Sequence, residues 1–149
     1  MIVAFQILIT VIGIVLSCLG YLDAGKIKLL NIPLKIIGVG LIIFGFYLNY
    51  SAKRKSKLFE MVADNKLITT GVYGIVRNPV YSAVLSACTG AVCISNNLIL
   101  FCIPLICWVY MTVFLKLTEE KWLAELYGQE YAEYCKKVNR CIPWFPKRR

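Results

Sequence analysis

Apolar residues fall in long unbroken blocks, not in the alternation of a half-buried strand or the narrow stripe of a water-facing helix. The first block runs from Ile2 to about Leu22, carries no charge, and has only Gln6, Thr10 and Ser17 as polar interruptions. It is too uniformly apolar for a signal-peptide core, and no basic stretch or Ala-x-Ala site frames it. Asp23 to Asn31 is a short polar turn containing Gly25, Lys26 and Lys28. Pro33 suits the first turn of a new helix, and the second block continues to about Tyr50 with Gly38, Gly40 and Gly45 inside it. Small residues let membrane helices approach closely, so this helix is expected to pack tightly on a neighbour. A third block spans Pro79 to Ile94, Ser95-Asn96-Asn97 is a turn signal, and a fourth spans Leu98 to Leu117. After Thr118 the chain turns polar and helical, with Trp122, Leu123, Leu126 and Tyr127 at helical spacing. A bilayer core needs roughly 20 apolar residues per helix. The pattern therefore predicts an all-α integral membrane protein forming one membrane domain over 1–149. Its transmembrane helices cover about 2–22, 33–50, 79–94 and 98–117, and a C-terminal cytoplasmic or interfacial helix follows.

Composition agrees: 59% of residues are hydrophobic, 17% are charged, and the mean hydropathy is +0.69, which leaves little chain for a water-soluble core. The net charge of +9 is segregated. Lys53, Arg54, Lys55, Lys57, Lys66 and Arg77 lie between the second and third spans. Lys136, Lys137, Arg140, Lys147, Arg148 and Arg149 lie in the tail. Cations beside apolar spans suit anionic headgroups, and no nucleic-acid-binding motif is present; the membrane, not nucleic acid, is the expected partner. Two crossings separate the basic regions, so both can share the cytoplasmic face, which places the amino and carboxyl termini there. Of the seven cysteines, five lie in apolar blocks, and Cys135 and Cys141 lie in the polar tail. With no CxxC pair and no His, no metal site is expected. Nothing in the pattern specifies an oligomeric state.

Two segments are too polar for spans and too specific for plain loops: NKLITTGVYGIVRNPVY at 65–81 and TEEKWLAELYGQEYAEY at 118–134. The topology puts both at the cytoplasmic surface, where the broader stretches 58–81 and 116–146 can close a pocket. Arg77 and the pair Glu119-Glu120 could be interfacial anchors or pair with each other. They could equally hold a zwitterionic ligand, cation on carboxylate and acid on ammonium. Tyr73, Tyr81, Tyr127, Tyr131 and Tyr134 suit the membrane interface, and some could line a pocket for a purine ring. Gly71 and Gly74 are expected to bend the chain, and Pro79 to open the third helix.

Together, the stretch LITTGVYGIVRNPVY and the later Glu119-Glu120, Tyr127-Gly128-Gln129-Glu130-Tyr131, Tyr134, Lys136-Lys137 and Ile142-Pro143 carry a resemblance over roughly 58–146. They resemble the isoprenylcysteine carboxyl methyltransferase family and its phospholipid methyltransferase relatives, whose signature is a threonine-rich turn, Arg-His-Pro-x-Tyr, and a distal acidic pair. The resemblance implies an S-adenosylmethionine-dependent methyltransferase with its cofactor site at the cytoplasmic surface and a lipid or lipophilic small-molecule substrate. Carried over, the cofactor-binding positions are Asn65, Lys66, Leu67, Ile68, Tyr73, Arg77, Asn78, Pro79, Val80 and Glu119. Arg77 and Glu119 would act by positioning.

The sequence departs from that pattern twice. The family His is Asn78 here, which can donate and accept hydrogen bonds but cannot act as a base near neutral pH. The carboxyl methyltransferases place an Arg four residues before the first acid; Leu115 stands there, beside Lys116. Lys116 and Glu120 are the candidate substrate contacts, and the acceptor is expected to be something other than a prenylcysteine carboxylate. Two other readings stand beside this one: a nicotinamide-dependent membrane reductase of the sterol reductase type, and a non-catalytic relative. Binding of S-adenosylmethionine, of NADPH or of neither separates the three.

Overall fold

The computed structural model describes residues 2–22, 25–26, 30–54 and 66–142. The described chain is helical, without strands: α1 (Ile2–Cys18), α2 (Asn31–Arg54), a 3-10 turn (Gly71–Gly74), α3 (Pro79–Ser95), a 3-10 turn (Leu98–Phe101), α4 (Cys102–Leu117) and α5 (Glu119–Lys137). Asn31–Lys53 and Leu98–Leu117 are long and apolar enough to cross a membrane, and Ile2–Cys18 and Pro79–Ser95 are shorter apolar helices. The first helix thus stops short of the predicted Leu22: Gly20 turns the chain with a φ of 86°. The second helix begins before Pro33, which sits in its first turn, and Pro79 opens α3. The fourth block enters as a 3-10 turn whose first N–H groups are met by Asn97, through an Ile99 N–H donating to Oδ1 at 3.0 Å. Compact packing divides the chain into two units: 1–46 with 83–109, and 47–82 with 110–149.

The first unit is arranged with its polar groups inward. On α1 the buried positions are Ile2, Gln6, Thr10, Gly13 and Ser17, one helical stripe, whereas Ile7, Leu8, Val11, Ile12 and Val15 are exposed. Water would favour the reverse. The stripe is the kind expected of a helix in lipid, which would not reward burial of aliphatic side chains and in which helices associate through small and polar residues. Thr10 satisfies itself against the Gln6 carbonyl at 2.7 Å. α2 and α3 approach through glycine: a Cβ on Gly38 would stand 2.5 Å from the Gly90 carbonyl, and one on Gly45 would stand 2.6 Å from that of Ala83. Ser86 Oγ donates to the Leu41 carbonyl at 2.8 Å in the same contact. Val92, Leu100, Ile103 and Cys107 form the apolar core with Ile9, Ile14 and Leu85 packed on it. At one end Asn97 is fully buried; its Nδ2 donates to Ser17 Oγ and to the Leu22 carbonyl, both at 2.9 Å. The predicted 95–97 turn is therefore also a polar knot that ties the end of α1 to the turn after α3.

In the second unit the motif segment and the tail are stitched together by backbone. Val76 bridges Asn139 in parallel. Arg77 N–H donates to the Asn139 carbonyl at 2.9 Å, and Asn78 N–H donates to that of Arg140 at 3.1 Å. The Ser82 hydroxyl reaches the Cys141 carbonyl at 2.5 Å. Tyr131, Tyr134 and Val138 form a core with Leu67, Leu123, Tyr127 and Cys135 against it. α5 is not the continuous helix its spacing predicts: Gly128 has φ 51° and ψ −120°, and the axis breaks there. A side chain at Gly128 would meet nothing within 4 Å, so the glycine is there for its backbone and not for space.

Candidate functional site

Two cavities of the second unit share a wall. One, of about 180 Å³, lies between Lys66, Leu67 and Ile68 on one side and Trp122, Leu123, Leu126, Tyr127, Tyr131 and Tyr134 of α5 on the other, with Tyr73, Arg77 and Asn78 between them. The second, of about 290 Å³, shares Tyr73, Arg77, Asn78, Trp122 and Leu123 and adds Pro79, Val80, Tyr81 and Glu119. Of the residues expected to hold a cofactor, nine therefore line one cavity or both, and the tenth, Asn65, lies outside the described residues. Of the two expected substrate contacts, Lys116 is exposed in the last turn of α4 and lines neither cavity, and Glu120 lies on arginine partners instead. Leu115 is fully buried.

Arg77 is the charged centre of this region. Its side chain is only 9% exposed, and Nη2 lies 3.2 Å from Glu120 Oε1. Nη1 donates to Tyr131 Oη at 3.4 Å and to Cys135 Sγ. Nε is buried without a hydrogen-bond partner among the described residues. Glu120 is in turn gripped by Arg140, Nε to Oε1 at 2.6 Å and Nη2 to Oε2 at 2.8 Å. That pairing raises the Arg140 pKa, with burial opposing it. The adjacent acids thus diverge: Glu120 joins two arginines, whereas Glu119 accepts from the Tyr81 hydroxyl at the wall of the second cavity. One residue along a helix turns a side chain by about 100°, which separates the roles of neighbouring acids.

The aromatic walls are held as neutral phenols. Burial pushes the Tyr73, Tyr131 and Tyr134 hydroxyls up from their ordinary range. Tyr134 donates to the Tyr73 carbonyl at 2.5 Å, which ties α5 to the 3-10 turn. Asn78 Nδ2 donates to the Arg140 carbonyl at 3.2 Å, so this amide braces the tail pairing. The helical spacing of Trp122, Leu123 and Leu126 predicts an apolar helix face, and in the structure that face is a cavity wall. In the sequence Arg140 belongs to the basic tail, and nothing local marks it as a partner of Glu120.

The profile of the phospholipid methyltransferase family matches residues 34–130. Among curated proteins, the chain is 36% identical over 82 residues to a probable protein-S-isoprenylcysteine O-methyltransferase of Oryza sativa subsp. indica, covering 54% of this chain and 42% of that one. It is 29% identical over 116 residues to the protein-S-isoprenylcysteine O-methyltransferase of Schizosaccharomyces pombe, covering 72% and 49%. It is 31% identical over 81 residues to protein-S-isoprenylcysteine O-methyltransferase B of Arabidopsis thaliana, covering 54% and 41%. The matches span less than half the length of these relatives. No solved structure matches the chain.

Proposed function

The chain belongs to the phospholipid methyltransferase family, and from that premise we propose that it is an S-adenosylmethionine-dependent methyltransferase acting on a lipophilic acceptor at a membrane surface. The observation that carries the proposal is the pair of cavities enclosed by the two motif segments, with the buried guanidinium of Arg77 in the wall of both. The residues present fit the cofactor. A buried donor without an acceptor, Arg77 Nε, costs about 1–3 kcal/mol, and a carboxylate is the partner a guanidinium suits best. Glu119 offers a carboxylate for an ammonium, and Tyr73, Trp122 and Tyr127 offer rings for a purine.

Lys66, Leu67, Ile68, Tyr73, Arg77, Asn78, Pro79, Val80 and Glu119 would hold the cofactor, with Asn65 beside them by the resemblance. When bound, S-adenosylmethionine supplies an electrophilic methyl group. The protein's part is then to position the reactants and exclude water, which can account for a large share of the rate. Asn78 supplies no base, and its amide is engaged by the Arg140 carbonyl. The acceptor therefore enters already nucleophilic or loses its proton elsewhere. Leu115 is buried where carboxyl methyltransferases carry an arginine, and Lys116 is exposed away from the cavities. Neither offers a cation to a prenylcysteine carboxylate, so a different lipophilic acceptor is the better fit.

Four membrane crossings with cytoplasmic termini complete the proposal. The polar-inward stripe of α1 supports its reading as a span, and at 17 residues α1 and α3 reach the short end of the spanning range. The test is calorimetry on detergent-purified protein with S-adenosylmethionine, S-adenosylhomocysteine and NADPH. Micromolar binding of the methyl cofactor and its product, and not of NADPH, is expected. Binding of NADPH alone would point to a reductase, and binding of none by folded protein would mark a scaffold without the chemistry.

A further inference from the structure

Glu120 carries one negative charge and is shared between two arginines. Arg140 holds both of its oxygens in a bidentate fork, at 2.6 and 2.8 Å, while Arg77 reaches a single oxygen at 3.2 Å. Bidentate pairing is the stronger and more directional of the two arrangements. The cluster of Arg77, Glu120 and Arg140 is therefore left with one net positive charge. Arg140 is 27% exposed against 9% for Arg77, so water stabilises Arg140 and the deficit of compensation falls on Arg77. Among the described residues, the other hydrogen-bond partners of the Arg77 guanidinium are Tyr131 and Cys135, which add polar contact but no carboxylate. Without Arg140, Glu120 would be free to close on Arg77 and neutralise it. Arg140 can do this because of the tail pairing. Its own carbonyl accepts from the Asn78 backbone and side chain, which anchors residue 140 beside the Arg77 segment whatever its side chain.

We propose that Arg140 is a positioning residue: by taking Glu120 in a bidentate pair, it keeps Arg77 under-neutralised and so available to the carboxylate of the bound cofactor. This rests on the cofactor reading given above. It also explains why the acidic pair needs two members, one for the ligand and one to orient the arginine.

The experiment compares two ligands that differ in the group at issue. S-adenosylhomocysteine carries the amino-acid end, with the carboxylate for Arg77 and the ammonium for Glu119; 5′-methylthioadenosine keeps the adenosine and thioether and lacks that end. Since Arg140 touches Glu120 and not Glu119, a loss confined to S-adenosylhomocysteine reports on the carboxylate. Calorimetry with each is run on the wild type, Arg140→Gln and Arg140→Lys. In Arg140→Gln the affinity for S-adenosylhomocysteine is expected to fall about tenfold or more, the worth of one charge-assisted hydrogen bond. The affinity for 5′-methylthioadenosine should change less than about threefold. Arg140→Lys, which keeps the charge but gives up the fork, should fall between. A purely structural role would weaken both ligands alike, so equal losses, or no loss in either, overturn the proposal. If the Gln variant does not fold, the Lys variant decides: a lowered ratio of the two affinities supports the proposal and an unchanged ratio refutes it. A wild type that binds neither ligand refutes the cofactor reading itself, which is a different failure from equal losses in the variants.

Discussion

Replacement of Arg77 by Ala separates what this residue does for folding from what it does for a ligand. In the folded protein Arg77 makes an ion pair with Glu120 at 3.2 Å and a hydrogen bond to Tyr131 at 3.4 Å, and its guanidinium lies 6.0 Å from the Tyr131 ring centroid. Removing one partner of a buried pair commonly costs 3–5 kcal/mol, because the other charge is stranded. Here it is not stranded: Glu120 keeps both hydrogen bonds from Arg140. The folding cost should therefore be only about 1.5–3 kcal/mol, that of one charge-assisted hydrogen bond. Binding is affected differently: among the described residues Arg77 is the one cation in the wall shared by the two cavities, and Lys66 lines the first cavity alone. Loss of a charge-assisted hydrogen bond to the ligand carboxylate is worth about 1.5–3 kcal/mol, or roughly 10- to 150-fold in Kd. Calorimetry with S-adenosylhomocysteine, beside thermal unfolding followed by circular dichroism in the same detergent, measures both quantities. An Ala variant that folds and binds within about threefold of wild type would refute the placement of the cofactor carboxylate on Arg77. A variant that does not fold would refute the argument that Arg140 leaves Glu120 satisfied.

Two further predictions concern packing and titration. Gly90→Ala brings a methyl to 2.5 Å from the Gly38 carbonyl, a backbone atom that cannot move cheaply, and should destabilise by about 1–3 kcal/mol. Gly40→Ala on the same pair of helices meets nothing within 4 Å and should be neutral or stabilising by up to about 1 kcal/mol, so thermal unfolding of the two variants should shift in opposite directions or in one alone. Cys141 is pushed up from 9.0 to about 12, first by burial and then by Glu120, with Arg140 and Arg77 opposing. The folded state thus holds the thiol proton more tightly than the unfolded chain. The stability this gives is fully present below pH 9 and is lost as the pH rises toward 12. Denaturant titrations between pH 8 and about 10.5 should show a falling midpoint that flattens in Cys141→Ser; identical pH profiles would exclude the thiol as its source.

Much of this protein follows from the order of its residues. The apolar blocks are long and uninterrupted, so the helices around 2–18, 31–54, 79–95 and 102–117 could be found without any structure, and those at 31–53 and 98–117 are long and apolar enough to cross a bilayer. Pro79 and the Ser95-Asn96-Asn97 turn fixed boundaries through local backbone chemistry, and the two motif segments pointed to the cavity walls because their residue types are rare in plain loops. What sequence alone leaves open depends on contacts between distant residues. The polar interruptions Gln6, Thr10 and Ser17 belong to one buried stripe with Gly13, and only the packing of neighbours shows that the apolar face, not the polar one, is turned outward. Glu119 and Glu120 are adjacent in the chain, yet one meets Tyr81, 38 residues away, and the other meets Arg77 and Arg140. Arg140 stands in a basic tail that looks like any headgroup-binding run, and it acquires a specific partner because Asn139 and Arg140 pair through their carbonyls with the 77–78 backbone. Local spacing decides which face a side chain occupies; only the folded chain decides what that face meets, because the partners are dozens of residues apart and each can satisfy its charge or hydrogen bond in several ways.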